Sequence, residues 1–338
     1  MRSIKILVLA LISIIVLSAC GTSNNNGDGD GNGNGDGDTY KIGTSVIVEH
    51  PSLDNALKGF KKALEDAGLN VEYDDKNAQG DQNNLGPIND AFVADDVDLI
   101  FANSTPAALS ALEATKDAKD IPVLFTSVTD AVDAGIVEAM DKPGENITGV
   151  VDLHPDAIKE TVNFIDKYFP NSTVGLLYNS GEANSVTQIE AVLAAGEGTS
   201  LTFKERTVGN SSEVQQAANS LVNEIDLFYI VTDNMVVSAL DSVVGVANDQ
   251  DIPLVVGEPD SVAKGGFATF GIDYFTIGYR TGEMAVEILK DGKKPNEINV
   301  EYPPEIQLFI NKEAAEEQGI EWNADWDEDA QFIETATE

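Results

Sequence analysis

A glutamate beside a histidine, in Glu49-His50-Pro51, is the pairing in this chain best suited to acid–base work, because a carboxylate can orient an imidazole that exchanges a proton near neutral pH. No nucleophile accompanies it. The single cysteine is Cys20, no Gly-x-Ser-x-Gly elbow occurs, and the second histidine stands in Leu153-His154-Pro155-Asp156, a loop-to-helix entry. Two histidines and one cysteine leave no thiolate, iron–sulfur or histidine-based metal centre. Asp28-Gly29-Asp30-Gly31-Asn32-Gly33 opens like a calcium loop, but its twelfth position is Thr39, not Glu. Gly43-Thr44-Ser45 and Gly265-Gly266 lack the spacing of nucleotide-binding glycines. The expectation is a protein that is not an enzyme and holds no cofactor or metal.

Chemistry of another kind gathers in six short polar runs: Glu49 to Ser52, Asn103 to Pro106, Thr126 to Asp130, Tyr178 to Ser185, Thr232 to Asn234 and Gly257 to Asp260. The first-half runs offer hydroxyls, Ser104, Thr105, Ser127 and Thr129, beside helix starts, which suit a carboxylate. The second-half runs offer Asp233, Glu258 and Asp260, which suit an ammonium. A cleft between them would hold a zwitterion, of which an amino acid is the plainest. Glu49, His50, Tyr178, Asn179, Glu182, Asn184, Ser185 and Asn234 complete the candidate ligand-binding set, and Tyr178, Phe101 or Phe125 would supply an aromatic wall. The competing account of these side chains is helix capping, or solvation of one among many surface acids.

The elements that must position these runs alternate between strand and helix. Strand-like stretches fall at Ile42 to Val48, Val71 to Tyr73, Val97 to Ala102, Val123 to Phe125, Val174 to Tyr178, Leu201 to Arg206, Leu227 to Val231 and Leu254 to Val256. Between them, Leu53, Leu57, Phe60, Leu64 and Ala67 recur at helical spacing, as do Ile158, Val162, Ile165 and Phe169, and read as core. The pattern is that of doubly wound α/β sheets, in which ligands gather at the carboxyl ends of strands, where the polar runs lie. It occurs twice. Val97-Asp98-Leu99 matches Ile225-Asp226-Leu227 and Ser110-Ala111-Leu112 matches Ser238-Ala239-Leu240; Asp120-Ile121-Pro122 then matches Asp251-Ile252-Pro253 after a three-residue insertion. The repeat aligns Thr105 with Asp233 and Ser127 with Glu258, hydroxyl against carboxylate.

The chain has 338 residues, with 20 Lys and Arg against 58 Asp and Glu, a net charge of -38. So acidic a surface repels phosphates and argues against nucleic acid or an anionic lipid face as partners; dense carboxylates suit a salty habitat. Arg2 and Lys5 precede an apolar run, Ile6 to Leu17, that ends in Leu17-Ser18-Ala19-Cys20. This predicts an export signal over 1–19, and the tetrapeptide resembles the lipobox of bacterial lipoproteins, which implies cleavage before a lipid-modified Cys20. Residues 20–39 hold no apolar side chain beyond Cys20 and predict a disordered tether reaching about 25 Å.

With these features on the page, the chain resembles the substrate-binding lipoproteins of ABC importers, of the type I periplasmic-binding fold, and specifically their tryptophan- and tyrosine-uptake branch. The resemblance spans about Lys41 to Ile320 and is carried by Val48-Glu49-His50-Pro51-Ser52-Leu53-Asp54, Asn77-Ala78-Gln79-Gly80-Asp81, Phe92-Val93-Ala94-Asp95, Pro122 to Asp130, Leu177 to Ser185 and Thr232-Asp233-Asn234. It implies two Rossmann-like lobes, 40–150 with 275–303 and 151–274 with 304–338, joined by three crossings near Gly149 to Asp152, Gly271 to Tyr274 and Pro303 to Glu305. It also implies an extracytoplasmic, lipid-anchored monomer that closes on an aromatic amino acid and docks to an ABC permease with its ATPase. The alternative within the same fold is a ligand sensor that signals to a membrane receptor.

Overall fold

The computed structural model of the protein describes residues 39–336. The expected signal, Cys20 anchor and tether therefore lie outside the described residues, except that Thr39 opens the first strand. The first sheet is built from β1 (Thr39–Val46), β2 (Asn70–Asn77), β3 (Leu99–Asn103), β4 (Val123–Val128) and β5 (Ile147–Val151), with α1 (Pro51–Asp66), α2 (Leu85–Ala94) and α3 (Thr105–Ala114) between them. Its order is β2-β1-β3-β4-β5 and every pairing is parallel. The strands β3, β4 and β5 are buried at every residue, as strands covered on both faces must be.

The second sheet repeats that plan. After α4 (Ala157–Tyr168) come β6 (Thr173–Tyr178), α5 (Ala183–Ala195), β7 (Thr202–Thr207), α6 (Val214–Leu221), β8 (Leu227–Ile230), α7 (Asn234–Ser238), α8 (Leu240–Asp249), β9 (Leu254–Val256), α9 (Pro259–Ala263) and β10 (Ala268–Gly271). The order β7-β6-β8-β9-β10 is that of the first sheet strand for strand, all parallel. The expected fold class, two doubly wound α/β lobes, is thus what the structure shows. The remaining elements are α10 (Tyr274–Leu289), β11 (Gln307–Ile310), α11 (Lys312–Glu317), α12 (Trp326–Asp329) and β12 (Ala330–Phe332). β11 joins β10 antiparallel and β12 closes the edge.

The chain crosses between the sheets after β5, after β10 and again before β11. In the last of these, Glu301 first pairs beside β5, giving its carbonyl to Val151 N–H at 3.0 Å and its N–H to the Gly149 carbonyl at 3.1 Å. α10, though it follows β10, packs on α1 of the first lobe; α4, though it follows β5, packs on β10. The α1–α10 contact needs glycine: a Cβ on Gly278 would meet the Ala56 carbonyl oxygen at 1.9 Å. α1 itself starts at Pro51 and buries Leu53, Ala56, Phe60, Ala63 and Leu64 along one face.

Eight of the strand-like stretches become β1 to β4 and β6 to β9. β5, β10, β11 and β12 carry weaker signals, each being short and two of them containing glycine. Gly149 reads as a breaker in sequence, but in β5 it lies so close to β4 that a Cβ would sit 2.0 Å from the Phe125 carbonyl oxygen.

Candidate functional site

The carboxyl ends of β1, β3, β4, β6, β8 and β9 all carry polar turns, as parallel strand direction dictates, and the two lobes press these ends together. Hydrogen bonds cross from lobe to lobe: Ser52 Oγ donates to Glu258 Oε2 at 2.7 Å, Asn55 Nδ2 to Asp260 Oδ1 at 2.7 Å, and Thr187 Oγ1 to Asp133 Oδ2 at 2.5 Å. Gln188 spans the gap, accepting from Thr232 Oγ1 at 2.9 Å and reaching Thr129 Oγ1 at 3.4 Å. The cleft is closed.

Within it are two adjoining cavities of about 10 and 20 Å³, each the room of roughly one water. His50, Leu53, Ser127, Thr129, Asp152, Asn184, Thr232, Asn234, Val237, Glu258 and Tyr274 line the smaller. The larger shares Asp152, Thr232 and Tyr274, and adds mostly apolar walls from Leu153, Ala157, Ile158, Phe270 and Ile272. Three buried atoms on the smaller cavity have no hydrogen-bond partner: His50 Nδ1, Asp152 Oδ1 and Asn184 Oδ1. Buried polar atoms are nearly always paired, so three atoms without a protein partner around one space make it the candidate binding point.

The backbone supports this placement. Ser104 and Ser127 end their strands at φ 135° and 55°, in the region that favours glycine, and such strain collects at functional turns. His50 occupies the N-cap of α1 without capping it, which leaves its ring for the cleft. Burial lowers His50 to about 4, against a hydrogen bond to Asn234, so the ring is neutral. Burial raises Asp152 to about 6 while the Tyr274 hydroxyl, donating to Oδ2 at 2.7 Å, pulls it down. Glu258 is raised to about 7 by burial and then by the charge of Asp260. Glu182 and Asp233 titrate as a pair, both pushed up by burial.

Of the fifteen candidate side chains, the structure brings His50, Ser127, Thr129, Asn184, Asn234 and Glu258 to the smaller cavity. The others serve the frame around it. Ser104 caps α3 through Ala107 N–H, and Thr105 Oγ1 accepts from Thr129 N–H at 3.3 Å. Asp233 caps α7 through Val236 N–H at 2.8 Å and takes Asn179 N–H at 2.6 Å, so both carboxylate oxygens face backbone. Glu182 accepts from the Asn234 amide and from Asn179 Nδ2 at 3.3 Å, and Ser185 accepts from Asn184 Nδ2 at 3.3 Å. Asp260 faces Asn55, Glu49 lines a separate pocket with Phe101, and Tyr178 points its hydroxyl at Glu205 on β7, 2.8 Å away. Phe101 stacks on Phe60 at 4.0 Å and Phe125 is buried among core residues, so neither faces the two cavities.

Sequence reasoning missed Asp152, Tyr274 and Gln188. Asp152 directly follows β5 and Tyr274 opens α10, both at crossings outside the six polar runs, and Gln188 is a helix residue of α5 with no marker of its own. Leu53, read as core, is also cavity wall. The available signal was the crossings: segments that join two lobes at the base of a cleft necessarily form its floor.

The sequence profile of the ABC transporter substrate binding protein family matches residues 41–331. A tyrosine-binding protein from Clostridioides difficile is 42% identical over 277 residues, 80% of this chain and 79% of that relative. Among solved structures, an ABC domain from Streptococcus pneumonia in complex with L-Trp is 33% identical, with a TM-score of 0.82, covering 88% of this chain and 100% of that one. A ligand-free, open substrate-binding protein from Clostridium difficile is 36% identical over the same shares but superposes at only 0.64. At similar identity the likeness is greater to the ligand-bound form, in keeping with the closed cleft described above. With a family profile over most of its length and two lobes shut on a polar cavity, this chain belongs to the ABC transporter substrate-binding proteins, the extracytoplasmic receptors of that transport system.

Proposed function

We propose that this protein captures an aromatic amino acid, tyrosine, tryptophan or phenylalanine, between its lobes and delivers it unchanged to the permease of an ATPase-driven importer. The observation that carries the reading is the trio of unpaired atoms, His50 Nδ1, Asp152 Oδ1 and Asn184 Oδ1, around one interlobe cavity. Asp152 and Asn184 offer acceptors for an ammonium. The Thr129 hydroxyl and the neutral His50 ring offer donors for a carboxylate, while Ser127 spends its hydroxyl proton on Asn103 Oδ1 at 2.8 Å. The apolar walls of the adjoining cavity, Ile158, Phe270 and Ile272, give a side chain a place to go. The names of the tyrosine-binding relative and of the L-Trp complex support the aromatic class. Neither cavity now has room for an amino acid, so entry requires the lobes to part, and contacts to both lobes then favour closure.

The lobes that move would be 40–150 with 275–303 and 151–274 with 304–338, and a lipid on Cys20 would hold the monomer to the membrane. The test is calorimetric titration of the processed protein with the proteinogenic amino acids. Aromatic L-amino acids are expected to bind most tightly. Asn184→Ala should weaken them about ten- to a hundredfold, the range for one hydrogen bond to a charged group. Binding of a sugar or a dicarboxylate in preference to every amino acid would refute the proposal.

A further inference from the structure

Charge on the cleft wall is one-sided. Asp152 and Glu258 line it, Asp260, Glu182 and Asp233 stand behind it, and no lysine or arginine is among the residues lining either cavity. Lys264 acts on the His50 ring only from outside that wall. The two lining acids differ in how they are satisfied. Glu258 accepts from Ser52 Oγ of the first lobe and from the N–H and hydroxyl of Ser261. Asp152 takes the Tyr274 hydroxyl on one oxygen, and its other oxygen has no partner within the protein. An ionised carboxylate with a bare oxygen, shut in a space for one water, is costly to maintain. A proton would relieve it; so would a cation supplied by a ligand.

We propose that the empty cleft closes by taking up a proton at Asp152, and that the ammonium of a bound ligand displaces this proton, so that protons and ligand compete for one closed conformation. This rests on the ammonium reading of the cleft given above. Parting the lobes lets water reach Asp152, and closing them removes it, which is the physical source of the linkage. The groups that face Asp152 agree. Tyr274 on α10 keeps its proton, held far above its ordinary range by burial and by Asp152 itself, and so remains a donor. His50 at the head of α1 is neutral, and Glu258 before α9 is held up near neutrality by burial. With Asp152 raised to about 6, one-proton competition weakens ligand binding about tenfold at pH 5 relative to pH 8.

The experiment pairs small-angle X-ray scattering of the ligand-free, processed protein between pH 8 and pH 5 with calorimetric titration of tyrosine and tryptophan at the same pH values. The radius of gyration of the empty protein is expected to fall on acidification, and affinity to fall with it. Asp152→Asn, which mimics the protonated acid, should be compact without ligand at both extremes and should bind more than tenfold more weakly at pH 8. Tyr274→Phe keeps the acid but removes the donor that favours its ionised form, so compaction should begin at higher pH. A ligand-free radius that does not change with pH in the wild type overturns the proposal, as does an Asp152→Asn protein that still follows the wild-type pH response. The two readings fail separately: compaction on acidification together with failure of every amino acid to bind at any pH would sink the amino-acid reading and leave proton uptake standing, whereas pH-independent binding and shape would do the reverse.

Discussion

Asp233 separates a frame-building role from a ligand-binding one. Its side chain is fully buried, with Oδ1 on Val236 N–H and Oδ2 on Asn179 N–H. Asp233→Ala removes the N-cap of α7, worth about 0.5–2 kcal/mol, and strands the Asn179 donor, worth about 1–3 kcal/mol more. Relief of a carboxylate that is itself strained by burial offsets part of this. A net loss of about 2–3 kcal/mol corresponds to a fall in melting temperature of roughly 3–5 °C in a chain of this size. Asp233→Asn keeps the cap but turns an amide donor toward Asn179 N–H, so it should lose about half as much. The assay is differential scanning fluorimetry with and without saturating tyrosine or tryptophan. Both variants should keep the rise in melting temperature that ligand produces, because binding stabilises whatever folded state it selects. An Asp233→Ala protein that melts like the wild type but no longer responds to ligand would refute the reasoning and make Asp233 a direct contact.

Other perturbations probe the hinge and the interlobe seam. Gly278→Ala forces a Cβ against the Ala56 carbonyl, and urea denaturation should show a loss of about 3 kcal/mol or no folded protein. Asp133→Ala removes the bond from Thr187 across the cleft mouth while leaving the cavity intact, so stopped-flow release of ligand should quicken by about two- to tenfold with little change in the association rate. The ligand-free melting temperature should decline between pH 5 and pH 8. Glu258 and Asp152 bind protons more tightly folded than unfolded, so their stabilisation is complete below their unfolded values and is lost as pH rises through about 6 to 7. His50, lowered to about 4, works the opposite way below its unfolded value but is a single group. A melting temperature that climbs from pH 5 to pH 8 would contradict the buried acids.

The duplication was legible because it repeats the local signal that opens a buried strand, as Asp120-Ile121-Pro122 and Asp251-Ile252-Pro253 do before β4 and β9. The strand-end turns followed from parallel direction alone. What sequence could not separate was capping from contact, since Ser104 and Ser127 have the same side chain and similar strand-end positions, yet one bonds Ala107 N–H and the other meets the cavity. Asp152 escaped notice because its importance depends on Tyr274, 122 residues away, a partnership created by two crossings that only the folded chain brings side by side. Phe101 shows the converse failure: an aromatic at a strand end faces the side its register dictates, and here that side is Phe60.

The helix that follows each sheet's fifth strand lies against the opposite lobe, α4 on β10 and α10 on α1. During synthesis and export this interleaving imposes an order of completion. The stretch from Thr39 to Val151 can pair its strands, but Ala56, Gly59 and Ala63 on α1 stay bare until residues 274–289 emerge and cover them. For more than a hundred residues of elongation the first-made half is an unfinished object with a sticky stripe, dependent on holding factors or on its own dense negative charge to stay apart from its neighbours. A single nick at the first crossing would therefore yield two fragments that each need the other to finish folding, and no gene encoding only one of them would give a working half-receptor.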